Sequence, residues 1–379
     1  MRNVLLAVSA ISGLAAALPQ RPNFEAAKAL PLPSVELLKP KVDEKPNAPI
    51  KYNQPAAVQE VKQDVSNNGV QTRKRSTSCS GTVEAGGAAP VPGDGSAGAY
   101  LATTNNMLKS NADGATAPAG YDEAFKGLNK ATQQIGYLTY KNIETGNYNV
   151  QACADFCDSE KFCLGFNIYY ERDPKYAPSA SCTDPEPQTN LKCALFGYPV
   201  SANTAINDGQ YREQFQVVIA GSNAYVKTGY SKRQGTVCRN APVVPRFNAP
   251  TQLPAAIDAP YITKNNREYY TYNGMRLFNE NPYDPSLCAA ACEAQTAFDK
   301  EHLVDASGEY RPCNFFTSYI LTQNDVPLGT YCALYTQTWG PEYATNTGYH
   351  WESDEYRTIC AASYSLTAQD SGRIATPTI

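Results

Sequence analysis

All twelve cysteines of this 379-residue chain fall between Cys79 and Cys360. An even set of cysteines constrains folding more than any other feature here, because each cross-link dictates which segments lie side by side. The chain opens MRNVLLAVSAISGLAAALP: an Arg, an apolar run, then small residues. That pattern reads as a secretory signal peptide over 1–17, with Ala15-Ala16-Ala17 at the cleavage site. Thiols exported by that route are normally oxidised. Zinc is the competing reading, since Cys153-x3-Cys157-x5-Cys163 is crowded, but only His302 and His350 are on hand as imidazole ligands. The expectation is disulfides, with no metal and no cofactor.

The cysteines recur in order with their surroundings. VQACADFC (from Val150) aligns with PSLCAAAC (from Pro285), and CLGFNIYY at Cys163 with CNFFTSYI at Cys313. CALF at Cys193 matches CALY at Cys332, AINDGQ matches ATNTGY, and VIAGSN (from Val218) matches ICAASY (from Ile359). Five blocks in one order are a duplication. In each copy C-x3-C in an Ala-rich stretch sets two thiols on one face of a helix, a turn apart. The FNIYY, FFTSYI and ALF/ALY runs have the β-branched and aromatic content of short buried strands, and the Asn/Gly pieces supply turns. The fold class expected is α+β: two disulfide-rich units, each a helix clipped to a small antiparallel sheet.

A unit of this make-up resembles the PAN/apple domain, an extracellular module whose helix carries C-x3-C. The wording FNIYYERDP and VIAGSNAY is also similar to secreted proteins of filamentous fungi with two such units, some described as fruiting-body-specific. The resemblance covers roughly Tyr121 to Leu366. It implies Cys153–Cys193 with Cys157–Cys163 in the first unit, and Cys288–Cys332 with Cys292–Cys313 in the second. Apple domains often tie their two ends together, which implies Cys238–Cys360 and leaves Cys79 for Cys182. The VIAGSN/ICAASY alignment puts Ile219 where the second unit has Cys360, so the first copy cannot repeat that bond. The insertion EAQTAFDKEHLVDASGEYRP before Cys313 makes the equivalent bonds close loops of different length.

Composition divides the remainder. Residues 18–75 are rich in Pro, Lys and Glu, with too little apolar surface to offset their ordering entropy, and read as a disordered pro-segment. It ends in Arg73-Lys74-Arg75, an accessible basic run suited to a furin- or kexin-type protease, and Ser231-Lys232-Arg233 is a second such site. Residues 76–120 read as a flexible Gly/Ala/Pro-rich arm, 121–227 as unit 1, 228–259 as an extended linker, 260–369 as unit 2 and 370–379 as a tail. Of 32 Lys and Arg, 11 precede Ser76, and of 36 Asp and Glu, 6 do, so the mature chain carries 21 basic against 30 acidic residues, a net charge of −9. That surface disfavours nucleic acid and anionic membrane. The early apolar run is too short to span a bilayer, and no later one is longer, so no membrane insertion is expected.

Catalytic patterns are missing: no GxSxG, HExxH, P-loop or EF-hand spacing, and only two histidines. His302 reads as part of a solvated loop, and His350, beside Glu352, Asp354 and Glu355, as an exposed turn. Glu171, Arg172 and Asp173 read as a local ion pair or turn before Pro174. No N-x-S/T sequon occurs. Aromatic residues are the feature left, with 26 Tyr, 12 Phe and 2 Trp. Trp339 and Trp351 lie near turns of unit 2 and are the candidate binding residues, against the plainer reading of a Trp capping the sheet. The functional expectation is a secreted, non-enzymatic protein, extracellular or in the cell wall, with no catalytic residues. Its partner would be extracellular polysaccharide, recognised through PAN/apple-like units, or alternatively a surface protein or itself, in a structural or adhesive role.

Overall fold

The computed structural model describes residue 79 and residues 83–231, 241–264 and 266–374. The expected signal peptide, the pro-segment with Arg73, Lys74 and Arg75, the second dibasic pair, Cys238 and the last five residues lie outside the described residues. A lead segment carries helices α1 (Ala97–Leu101) and α2 (Met107–Asp113). Unit 1 follows with β1 (Tyr121–Leu128), β2 (Ala131–Thr132), β3 (Tyr137–Asn142), α3 (Val150–Ser159), β4 (Gly165–Pro174), β5 (Pro187–Phe196), β6 (Ala205–Asn207), β7 (Gly209–Arg212) and β8 (Phe215–Lys227). Unit 2 comprises β9 (Thr251–Leu253), β10 (Ile262–Lys264), β11 (Arg267–Tyr269), β12 (Tyr272–Phe278), α4 (Pro285–His302), β13 (Phe315–Gln323), β14 (Val326–Tyr335), β15 (Gly348–Trp351) and β16 (Asp354–Ser365).

The two main sheets share one topology. Unit 1 runs β3-β5-β4-β8, with β1 and β7 both on β8; unit 2 runs β12-β14-β13-β16, with β9 and β15 both on β16. Every pairing is antiparallel. The turn blocks match atom for atom: Asn207 Oδ1 accepts from Gly209 N and Asn346 Oδ1 from Gly348 N, each at 3.1 Å. Both glycines have positive φ, and a Cβ on either would meet the opposite strand's carbonyl oxygen at about 2 Å, so no other residue closes this turn.

Each helix begins with a side-chain cap, Asn149 Oδ1 accepting from Ala152 N at 3.0 Å and Asp284 Oδ1 from Ser286 N at 2.9 Å. In α3 Val150, Cys153, Ala154 and Cys157 form the buried stripe, packed on Phe166, Ile168, Leu191 and Leu195 of the sheet. The disulfides are Cys79–Cys182, Cys153–Cys193, Cys157–Cys163, Cys288–Cys332 and Cys292–Cys313, the pairs named from the resemblance and the remainder. Cys360 is also disulfide-bonded, and its expected partner lies outside the described residues. The insertion of unit 2 lengthens the helix, which has 18 residues against 10, so the second clip spans 21 positions against 6. His302 is the last residue of α4 instead of a loop residue.

Three further expectations are corrected. From residue 83 onward the segment read as a flexible arm is folded: Tyr100, Leu108 and Ala112 are fully buried, α1 is capped by Ser96 and α2 by Asn106, and both helices pack on unit 1. Its few apolar residues suffice because the sheet, not the segment, supplies most of the core. The stretch read as a linker is partly unit 2, since β9 pairs with β16 as β1 does with β8, and Val244, Phe247, Ala256 and Ile257 are buried. The register of the last repeat block also shifts by two. Ile320 pairs with Ile359 and Tyr170 with Ala220, each followed by a bulge, which places Gly221 (φ 55°), not Ile219, opposite Cys360 (φ 61°). Tyr148 donates to Gly221 O at 2.7 Å and Tyr283 to Cys360 O at 3.2 Å from matching positions before the helices.

The units also meet. Leu164 and Tyr198 of unit 1 form one buried cluster with Tyr283, Ile320 and Cys360 of unit 2. Tyr198 Oη lies 3.0 Å from Thr330 Oγ1 and donates to Phe278 O at 3.3 Å. Tyr283 N donates to Gly197 O at 3.1 Å, and Ser201 Oγ to Asp325 O at 3.0 Å.

Candidate functional site

Strand pairing carries the acidic pair of FNIYYERDP onto a lysine of the next strand. Alternation along β4 puts Tyr169, Glu171 and Asp173 on the face away from α3, and the β4–β5 register sets Lys192 opposite Tyr169 and Asn190 opposite Glu171. Lys192 Nζ contacts Glu171 Oε1 and lies 3.2 Å from Asp173 Oδ2. Asn190 Nδ2 donates to Asp173 Oδ2 at 2.7 Å. All four side chains are buried. Arg172, by alternation, faces the other way, where its guanidinium lies 3.9 Å over the Phe215 ring and donates to Gly95 O and Gln216 O. The local ion pair expected within Glu171–Asp173 is therefore replaced by a cross-strand cluster with Lys192.

The lead segment seals this cluster. Val83 bridges to Tyr176 and Ala89 to Thr189. Gly87 N donates to Asn190 Oδ1 at 2.7 Å. The backbone passes so close at Gly86 that a Cβ there would fall 1.9 Å from Asn190 Oδ1. Glu84 pairs through both carboxylate oxygens with the Arg212 guanidinium. Burial, then the Asp173 charge, push Glu171 up to about 8 against the pull of Lys192. Burial works against ionised Asp173 and Lys192 too. Yet Lys192, with hydrogen bonds from Glu171 and Asn190, holds Asp173 below the usual carboxylate range, and the two acids hold Lys192 well above its own. The consistent charge state is a Lys192–Asp173 ion pair with a neutral Glu171 carboxyl donating to Asp173, a cluster of zero net charge.

In unit 2 the matching positions are Leu321, Gln323 and Tyr331, and Tyr331 stacks on Tyr319 at 4.7 Å. The distinctive feature here is an aromatic run from surface to core. Tyr261 stacks on Tyr270 at 4.8 Å, Tyr270 meets Tyr272 at 5.9 Å, and Tyr272 meets Tyr335 at 5.8 Å. Tyr261 is 47% exposed, while burial and then its neighbours Tyr272 and Tyr261 push Tyr270 up to about 12, so its hydroxyl stays a donor at neutral pH. Arg311 Nη2 donates to Tyr270 O and Tyr272 O, both at 2.7 Å, and holds this shelf in place.

The two tryptophans part company. Trp339 is 7% exposed and donates from Nε1 to Thr271 Oγ1 at 3.0 Å, anchoring the residue between Tyr270 and Tyr272, and is too buried to meet a ligand itself. Trp351 is 41% exposed at the tip of the β15–β16 hairpin, beside exposed His350. His350 Nε2 lies 3.8 Å from Glu355 Oε1, and His302 is exposed against Phe298. Neither histidine meets a nucleophile, and no group of three metal-ligating side chains occurs among the described residues. No helix among them is long and apolar enough to cross a membrane.

Sequence reasoning missed the Tyr261–Tyr270 shelf, although the run APYITKNNREYYTY carries it in plain view. Glu171 and Asp173 are near neighbours in the sequence but Lys192 is not, and its place opposite Tyr169 emerges only from the strand register. Compared with protein-family models, curated proteins and solved structures, the chain matches none.

Proposed function

We propose that this chain is an exported, non-enzymatic binding protein built on two PAN/apple-like units, processed after Arg75, and that its ligand is cell-wall or other extracellular carbohydrate. The observation that carries the reading is the tyrosine shelf of unit 2. A sugar ring presents an apolar face of axial C–H groups flanked by hydroxyls, and a half-exposed ring with fixed neighbours offers a stacking surface and adjacent donors. Tyr261 is such a ring, stacked on Tyr270, whose backbone Arg311 holds and whose neighbour Thr271 is bonded by Trp339, so the strand that carries the stack is already fixed. Exposed Trp351 is a second contact of the same chemistry. The helix-clipping disulfides support the PAN/apple reading, in which such units bind and do not turn over substrate.

The test is retention of the oxidised chain from Ser76 onward on insoluble chitin, β-glucan and cellulose. Saturable binding to one of them, weakened at least tenfold in Tyr261→Ala with the thermal transition unchanged, is the expected result. Folded protein that ignores all three polymers but assembles with rising concentration would replace this reading with self-association in a structural or adhesive role.

A further inference from the structure

Unit 1 buries an amine and two carboxyl groups in mutual contact, in a place where its sister unit needs none of them. We propose that Lys192 Nζ and the side-chain carboxyl of Glu171 condense into an intramolecular isopeptide bond joining β5 to β4, with Asp173 as the proton acceptor. The reaction needs an amine held against a carboxyl carbon, a base within reach, and exclusion of water, which would otherwise solvate the charges and reverse the condensation. The fold supplies each. Lys192 Nζ contacts Glu171 Oε1, and Asp173 Oδ2 lies 3.2 Å from the same nitrogen. Asn190 Nδ2 fixes Asp173 at 2.7 Å, and the Gly86–Gly87 backbone seals Asn190 in turn. The buried Tyr169 and the Tyr140 ring, 5.6 Å from Nζ, complete a dry wall.

The step balances without an external reagent. Asp173 takes a proton from the Lys192 ammonium, and the freed lone pair adds to the carbonyl carbon of the neutral Glu171 carboxyl. The carboxyl C–O bond breaks, and the second amine proton leaves with the hydroxyl as water. An ammonium, a carboxylate and a carboxylic acid become an amide, a carboxylic acid and one water, and no charge stays buried. Asn142, opposite Lys192 in the β3–β5 register, has a buried Oδ1 with no hydrogen-bond partner among the described residues and offers an acceptor for the new amide N–H. The raised affinity of Glu171 for its proton agrees with its role as the electrophile, while Asp173, ionised, is open to the proton that Lys192 gives up against the pull of both acids.

Intact mass of the full mature chain, reduced and alkylated, tests this. The expected value is about 18 Da, one water, below the mass of the sequence from its measured N-terminus. Trypsin should then fail to cut after Lys192, and one branched peptide should join residue 192 to residue 171. Lys192→Arg keeps the charge without the nucleophilic amine and should restore the full mass. A wild-type chain of full mass, or a branch mapped to Asp173, overturns the assignment.

Discussion

Units 1 and 2 put different chemistry on one scaffold. At three matched positions on the same sheet face, unit 1 has Glu171, Asp173 and Lys192 and unit 2 has Leu321, Gln323 and Tyr331. At the entrance to β3 and β12 the difference reverses, for unit 2 has Tyr270, stacked on Tyr261, where unit 1 has Ile135 packed against Tyr198. A fold that tolerates Leu and Tyr in this layer does not require buried charge there. Desolvating an ion pair often costs more than the pair returns, so its presence in one copy alone points to a use other than folding.

The largest effect should come from the layer beneath the shelf. Trp339 occupies the place of Val200 in unit 1, and Trp339→Ala should cost about 3–5 kcal/mol in chemical denaturation, from the cavity and the orphaned Thr271 hydroxyl. Next is the exchange of layers. Placing the unit 2 residues into unit 1 (Glu171→Leu, Asp173→Gln, Lys192→Tyr) should lower its stability by about 3 kcal/mol, the loop-closure contribution of a cross-link spanning about 22 residues. A neutral or stabilising outcome, as for ordinary buried ion pairs, would mean that no covalent bond is lost and the two layers are interchangeable. Tyr198→Phe removes one hydroxyl from the contact between units and should cost about 1 kcal/mol, read as a lower unfolding midpoint. The smallest effect belongs to Trp351→Ala, within about 0.5 kcal/mol in stability because the ring is exposed, while polysaccharide retention falls.

Much of this scaffold was legible before any coordinates. Cysteine spacing is covalent and local, so C-x3-C located both helices, and the repeated CALF/CALY block located the strand that each helix clips. What failed was whatever depends on distant partners. Residues 76–120 read as a flexible arm by composition because the core of their described part is borrowed: Tyr100 bonds Thr189, 89 positions away. A bulge is a matter of backbone conformation that aligned letters do not encode, hence the shift from Ile219 to Gly221 opposite Cys360. Trp339 is open to two readings in the sequence, a binding residue or a Trp capping the sheet, and its burial agrees with the second. Extending the CALF/CALY alignment by four residues sets it against Val200, a core position, and that signal was present.

The covering of the two sheets has a consequence for biosynthesis. In unit 1 the surface around Tyr170 and Gly221 is roofed by α2, from its own lead segment; in unit 2 the equivalent surface at Ile320 and Cys360 is roofed by Leu164 and Tyr198 of unit 1. A nascent chain leaves the ribosome amino end first, so unit 1 emerges with its lid already made. Unit 2 arrives without one and must dock on a finished neighbour. A chain cut between them would bare both sides of the contact, Leu164 and Tyr198 on one half and Tyr283, Ile320 and Cys360 on the other.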